Sequence, residues 1–492
     1  MAQFFTALGT PLLSFIDYLG QLVLLAADTF AHGRLANPVH PLWVHFESIH
    51  INQLPTYASM YPPGQGFFLA MGQVITGYPI VGAWIGVAFG CGAVGWMLFA
   101  WIPPRWAMLG GVLAAFHPLV LEWGQNYWGG GVAMGGGALV LGAFRRLIPV
   151  PRSRDAVIMG IGIAVLANTR PYEGFVLSGL LCAVFGIYML TGGRPDYRTM
   201  LKSVALPMFA VLLPVAIWMG YYNYRVVGKP LLMPRLVNHH TYMMAPVFLW
   251  QEPAPQPHYR HRAMRDFHVG WEMSDYLAQR SLLGRVSWGW DKATRLAGEY
   301  ARSWGLAVPL IVLPWVFWRD RWMRIAVLLL AFFAVALLLV VWVLAHYAAP
   351  VMGLFLVVSL ECMRFLSAWR WRGKSIGRWV TGTAIGLCFL SGVLACSKLV
   401  GKRTAEPSFG TLRAHILSRL EQTGGKHLIL VRYRPDHNPH LEWVYNAADI
   451  DRAPIVWARE MDTDQNAKLL EYFKGRHVWL FEADELRISP FR

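Results

Sequence analysis

GGGVAMGGGALVLGAFRRLIPVPRSRDAVIMGIGIAVLANTRPYE, residues 129–173, places two apolar runs on either side of a basic cluster, Arg145, Arg146, Arg152 and Arg154. It ends on a charged turn, Arg170 to Glu173. Apolar runs approaching about 20 residues read as membrane spans. Lys and Arg are retained on the cytoplasmic side of such spans, so this stretch reads as a helical hairpin with its arginines inside and Arg170 outside.

The same pattern continues in both directions. Apolar segments fall near 4–27, 79–101, 106–121, 129–147, 156–169, 172–191, 204–222, 305–318, 323–345, 347–366 and 379–397, about eleven spans in all. The expected fold is an α-helical polytopic membrane protein with a small C-terminal α/β domain. The composition agrees. Of 492 residues, 55% are hydrophobic and 15% charged, and the mean hydropathy is +0.38, which excludes a disordered chain. The formal charge of +16 does not point to nucleic acid, because the basic residues punctuate apolar runs instead of clustering on polar segments. The five cysteines all lie inside apolar runs, so neither a disulfide scaffold nor a zinc-ligand spacing follows.

Three further basic hairpins carry Arg194, Arg198 and Lys202; Arg319, Arg321 and Arg324; and Arg370, Arg372, Lys374 and Arg378. All four fall on one side if each span crosses once. The expected topology has a cytoplasmic N-terminus in a bacterial inner membrane, with the first span, lacking a basic n-region and an A-x-A site, retained as an anchor. Residues 1–401 form the membrane domain, including the outer loop 28–78 and the long outer loop 223–304. Residues 64–76 are apolar but too short to cross, and read as a helix lying at the outer interface, opened by Pro62-Pro63-Gly64.

After Arg403 the composition changes. Leu412, Ile416, Leu417 and Leu420 recur at helical spacing, and residues 427–433, 455–460 and 477–482 read as strands. Asp464 is the expected N-cap of a helix ending at Phe473. Residues 402–492 are thus a soluble α/β domain on the non-cytoplasmic side, without a glycine-rich nucleotide loop.

Ionisable groups near a bilayer are costly and point to function when they lie outside basic loops. Asp17, Asp28, His32, Arg34, His40, His45, Glu47 and His50 crowd the first outer segment, a density suited to proton transfer; the plainer alternative is a solvated loop with incidental histidines. Arg170 suits a phosphate through its planar fork, against an Arg170–Glu173 pair that only closes a turn. Glu122, Asn126, Tyr127 and Trp128 precede the glycine-rich run, whose glycines suit close helix packing. His239, His240, His258, His261 and His268 lack the acid or cysteine that would complete a metal spacing.

The order of parts resembles the glycosyltransferase C superfamily, in particular the protein O-mannosyltransferase and aminoarabinose-transferase type. It has one span, an outer loop with acids, Tyr61-Pro62-Pro63-Gly64 opening a short interfacial helix, then a run of spans and a distal soluble domain. His346-Tyr347-Ala348-Ala349-Pro350 is similar to a feature of bacterial relatives. The resemblance covers residues 15–220 in detail. It implies inverting transfer of a sugar from a polyprenyl-phosphate donor to a lipid or glycan acceptor on the outer face, without cofactor, a divalent cation being the open alternative. Such families carry an Asp-Glu pair where this chain reads Leu19-Gly20-Gln21. The expected base is therefore Asp28 or Asp17, with Glu47 next. Arg170 is the expected phosphate contact, and Tyr61, Glu173, His40 and Glu122 complete the substrate site. The rival readings are a transporter or flippase of a lipid-linked solute and a non-catalytic scaffold.

Overall fold

The computed structural model describes residues 23–191, 196–401 and 409–491. Helix α1 (23–31) leads into a loop that holds a two-residue antiparallel pair, β1 (Ile51–Asn52) and β2 (Ala58–Ser59). Then follow α2 (Pro63–Thr76), α3 (Pro79–Trp101), α4 (Pro104–Ala115), α5 (Pro118–Trp123), α6 (Gly130–Leu147), α7 (Ser153–Thr169), α8 (Pro171–Leu190) and α9 (Leu206–Val227). Proline opens five of these, α2 to α5 and α8, where its missing N–H has no helical partner to lose.

Helix α6 is the axis of the bundle, buried on all its faces. Its glycines permit this. A Cβ on Gly137 would stand 2.0 Å from the carbonyl oxygen of Pro350, so only glycine lets that corner approach. Helix α3 runs parallel to α6, with Gly86 against Val132 and Trp96 against Gly142.

The second half contains α10 (Pro234–Tyr242), a π-helical turn at Asp266–Glu272, α11 (Leu282–Tyr300), α12 (Leu313–Arg319), α13 (Arg321–Leu338), α14 (Met352–Ser367) and α15 (Ile376–Gly401). Among the described residues six helices are long and apolar enough to cross a membrane, and a seventh follows if Leu282–Tyr300 and Trp304–Arg319, bent by 109°, count as one. The chain is a polytopic membrane protein. The expectation of eleven uniform spans needs correcting, because helix α4 has 12 residues and α7 has 17, and 305–318 is divided among short helical turns. Windows of hydropathy do not see such breaks. Most of the first expected span, including Asp17, lies outside the described residues.

The basic hairpins meet in space. The Arg145 guanidinium lies 3.8 Å from the centre of the Trp322 ring, joining the first hairpin to the third, and Tyr188 near the second donates to the Ile148 carbonyl at 3.3 Å.

The C-terminal part has α16 (Phe409–Thr423), β3 (His427–Arg432), β4 (Ile455–Arg459), α17 (Thr463–Tyr472), β5 (His477–Glu482) and β6 (Arg487–Pro490). The sheet order is β4-β3-β5-β6, parallel except for β6. The expected helix and three strands are present. The fourth strand was not anticipated, because its four residues carry no alternating pattern. The N-cap is Asp462, which accepts from the Gln465 N–H at 2.9 Å, and not Asp464. Asp464 already lies in the first turn of the helix, and the cap is the acid before it whose backbone is still extended.

Candidate functional site

The first outer loop is fixed by the C-terminal part. Asp28 accepts from the Ala448 N–H at 2.7 Å and from Gln73 on α2 at 3.1 Å. His40 is 3.1 Å from the Asp451 carboxylate, and its ring stacks on Phe473. Burial holds its imidazole below the ordinary histidine range, against the opposing pull of Asp451. The His45 Nδ1 meets the Arg459 carbonyl at 2.9 Å, and the Arg459 guanidinium donates to the Glu47 carbonyl at 2.8 Å while pairing with Glu442. The Glu47 side chain is itself buried; it accepts from Tyr242 at 3.0 Å and faces Arg260 and His261, each at 3.4 Å. Asp28 and His40 thus join the loop to the tail, while the Glu47 carboxylate is held by residues 242–261, and among the described residues neither acid forms an ion pair with Arg170.

Arg170 is placed by chain geometry. It ends α7 and caps α8, because Pro171 forces the residue before it out of the helical region. Its guanidinium lies 4.6 Å from the Tyr347 ring centre and 3.5 Å from the Trp128 carbonyl. Among the described residues it has no carboxylate within ion-pair distance, so the Arg170–Glu173 closure does not form. The same holds for Arg235 on α10. Both guanidinium groups act on Tyr61, whose hydroxyl is 3.0 Å from the His50 Nδ1. Burial raises the Tyr61 phenol above its usual range, and the two arginines oppose that rise.

Neutral imidazoles surround these cations. Burial depresses His50 well below the histidine range, with His268 and Arg235 adding to the effect. It does the same to His346, where Arg170 adds, and brings His239 down to about 4, helped by Arg235. His50 adopts φ of 60°, an uncommon conformation for a residue with a Cβ and one that recurs at functional sites.

An apolar groove of about 530 Å³ leads to this place. It lies between α2, α7 and α9, lined by Phe67, Phe68, Ala164, Val211 and Trp218, and closes on Asn168 and Thr169, one residue from Arg170. Gly64 sets its width. A Cβ there would stand 2.6 Å from the Thr169 methyl and 2.7 Å from the Asn168 carbonyl oxygen, so Pro62-Pro63-Gly64 brings α2 flush against the end of α7.

Other expected residues sit apart. Glu122 pairs with Arg302, which also holds Glu299. Glu173 is buried in the first turn of α8. Among the described residues no three His, Cys, Asp or Glu side chains converge as metal ligands. Arg235 and the His50, His239 and His268 group lie within the long loops, where no local period marks them; their only signal was the density of histidine.

No family model matches the sequence, and no curated protein matches it. Solved structures do. ArnT from Cupriavidus metallidurans, bound to undecaprenyl phosphate, is similar over 98% of this chain and 93% of its own, at 12% identity and a TM-score of 0.53. The chain has an ArnT-like fold. ArnT in the apo state gives the same coverage with a TM-score of 0.50. The oligosaccharyltransferase of Archaeoglobus fulgidus, complexed with zinc and sulfate, is similar over 84% of this chain and 56% of its own, at 12% identity and a TM-score of 0.49. The likeness to ArnT is one of fold and extends over 98% of the chain.

Proposed function

We propose that this chain transfers a sugar from a polyprenyl-phosphate donor to a lipid or glycan acceptor at the outer face of the membrane, with inversion. The observation that carries the reading is the apolar groove that ends beside Arg170. A greasy chain fits its walls of Phe, Val and Trp side chains, and its phosphate then falls between two guanidinium groups that no carboxylate has neutralised. Both side chains are half-buried, and a phosphate supplies the missing counter-charge in a geometry that the guanidinium fork matches.

As the bond from C1 of the sugar to phosphate oxygen breaks, negative charge grows on the departing lipid phosphate. Arg170 and Arg235 are placed to stabilise it. The Tyr61 hydroxyl, kept protonated by burial, donates a hydrogen bond in the same region. The acceptor hydroxyl attacks C1 from the side opposite the phosphate and gives up its proton. The contact between the basic hairpins supports one common, cytoplasmic side for them. Arg170, the loop 28–78 and residues 402–492 then lie outside, the tail as a unit distinct from the membrane part at 1–401.

The test is binding of undecaprenyl phosphate to the purified full chain. Saturable binding that depends on both the phosphate and the groove supports the reading; equal binding of undecaprenol and undecaprenyl phosphate overturns it.

A further inference from the structure

Asp28 is engaged with the C-terminal part and the Glu47 carboxylate with Tyr242, Arg260 and His261, which leaves open which group takes the acceptor proton. The π-helical turn Asp266–Glu272 holds a pair suited to that step. Local π geometry recurs at functional sites because it re-aims side chains that an α-helix would place elsewhere. Here it sets His268 Nδ1 at 2.7 Å from the Glu272 carboxylate. The carboxylate fixes the ring so that Nδ1 carries the proton and Nε2 presents its lone pair, the arrangement by which an acid orients a histidine base.

Two further observations single this pair out. His268 is fully buried, yet among the described residues its Nε2 has no hydrogen-bond partner, an expensive condition for a buried polar atom. The Tyr242 and Tyr259 rings lie nearly parallel to it, with centroids at 6.2 and 6.0 Å. The pair also borders the Arg170 site. The Phe267 ring, edge-on to His268 at 5.0 Å, meets the His50 ring at 5.6 Å, and His50 in turn lies 3.0 Å from the Tyr61 hydroxyl beside the arginines.

We infer that the Glu272–His268 pair is the general base of the transfer proposed above, serving an acceptor that reacts through a hydroxyl group. The inference rests on that reading. In the step, His268 Nε2 takes the acceptor proton while the acceptor oxygen bonds to C1 of the sugar. The C1–O bond to phosphate breaks, and its electron pair leaves on the phosphate. The resulting imidazolium is stabilised by Glu272. The other titratable groups facing the ring are Tyr242 and Tyr259 on its two sides, His50 and Tyr61 from the first loop, Arg235 and His239 from α10, and His440 across Phe267.

The experiment follows release of undecaprenyl phosphate from a panel of undecaprenyl-phosphate sugars by the full chain, alongside direct binding of undecaprenyl phosphate. His268→Asn is expected to lower release at least about 100-fold, within the range general-base removal produces, while leaving undecaprenyl phosphate binding within about two-fold. Glu272→Gln, which keeps the size of the side chain and loses the charge that stabilises the imidazolium, is expected to lower kcat while leaving undecaprenyl phosphate binding within about two-fold. Added imidazole should partly restore His268→Ala, a response that lost packing would not give. Release within three-fold of wild type in His268→Asn overturns the pair alone. So does loss of activity in His268→Ala without imidazole rescue. Failure of the wild-type chain to bind undecaprenyl phosphate overturns the transferase reading itself.

Discussion

Arg170→Ala tests the phosphate site directly. In the structure the guanidinium meets an aromatic ring at 4.6 Å and a carbonyl oxygen at 3.5 Å, and among the described residues it forms no ion pair, so its removal should cost the fold little. A charge-assisted hydrogen bond to an ionised group contributes about 1.5–3 kcal/mol, and each 1.4 kcal/mol is about ten-fold in affinity. The dissociation constant for undecaprenyl phosphate should therefore rise about 10- to 100-fold, while the midpoint of thermal unfolding in detergent stays close to wild type. Arg170→Lys, which keeps the charge and loses the fork, should fall between. Tryptophan fluorescence offers the readout, because Trp218 lines the groove and the Trp128 carbonyl lies beside Arg170. With Arg235→Ala added, a double-mutant cycle should give a coupling of about 0.5–3 kcal/mol if one phosphate touches both. An affinity within two-fold of wild type in a folded Arg170→Ala protein would refute the reasoning, since no other contact could then explain an uncompensated cation at the mouth of the groove.

Gly64→Ala should push α2 off the end of α7, costing about 1–3 kcal/mol as overpacking does and weakening undecaprenyl phosphate binding; thermal unfolding and the same titration check both. Arg459→Ala leaves the buried Glu442 carboxylate without its partner and should destabilise the C-terminal part by about 3–5 kcal/mol, seen as protease cleavage within residues 409–491. The depressed imidazoles predict acid sensitivity. His239 and His440, both brought to about 4 chiefly by burial, stay neutral when folded, while in an unfolded chain they protonate near pH 6.5. Their contribution is complete above that value and is lost as pH falls from about 6.5 toward 4, by about 1 kcal/mol each at pH 5.5. Unfolding midpoints that are flat across that window would contradict the burial of these rings.

Much of the fold could be read from the chain because its signals are local. The proline-opened helix at 63–76, the glycine run at 130–147 and the strands at 427–432, 455–459 and 477–482 each declare themselves within a dozen residues. Helices α4 and α7 were harder, since a short helix sheltered by neighbours meets no length requirement of its own. Among the site residues, Arg170 was legible because a charged turn between apolar runs is conspicuous. The engagement of Asp28 and Glu47 was not, because Ala448 and Arg459 lie some four hundred positions away and no period links them. Arg235 and the Glu272–His268 pair were hidden for the same reason, within a long polar stretch where a histidine at a wall looks like one in solvent.

The hydrogen bond from Ala448 to Asp28 implies an order of assembly. A ribosome makes Asp28 some 420 residues before the backbone that clasps it, so the loop must wait for that much polypeptide before it acquires its final shape. A chain cut short after its last span would still insert its helices and keep the lipid-facing crevice, but the wall facing the acceptor would have no backing. Late-truncating mutations should therefore yield a protein that is abundant in the membrane and inert.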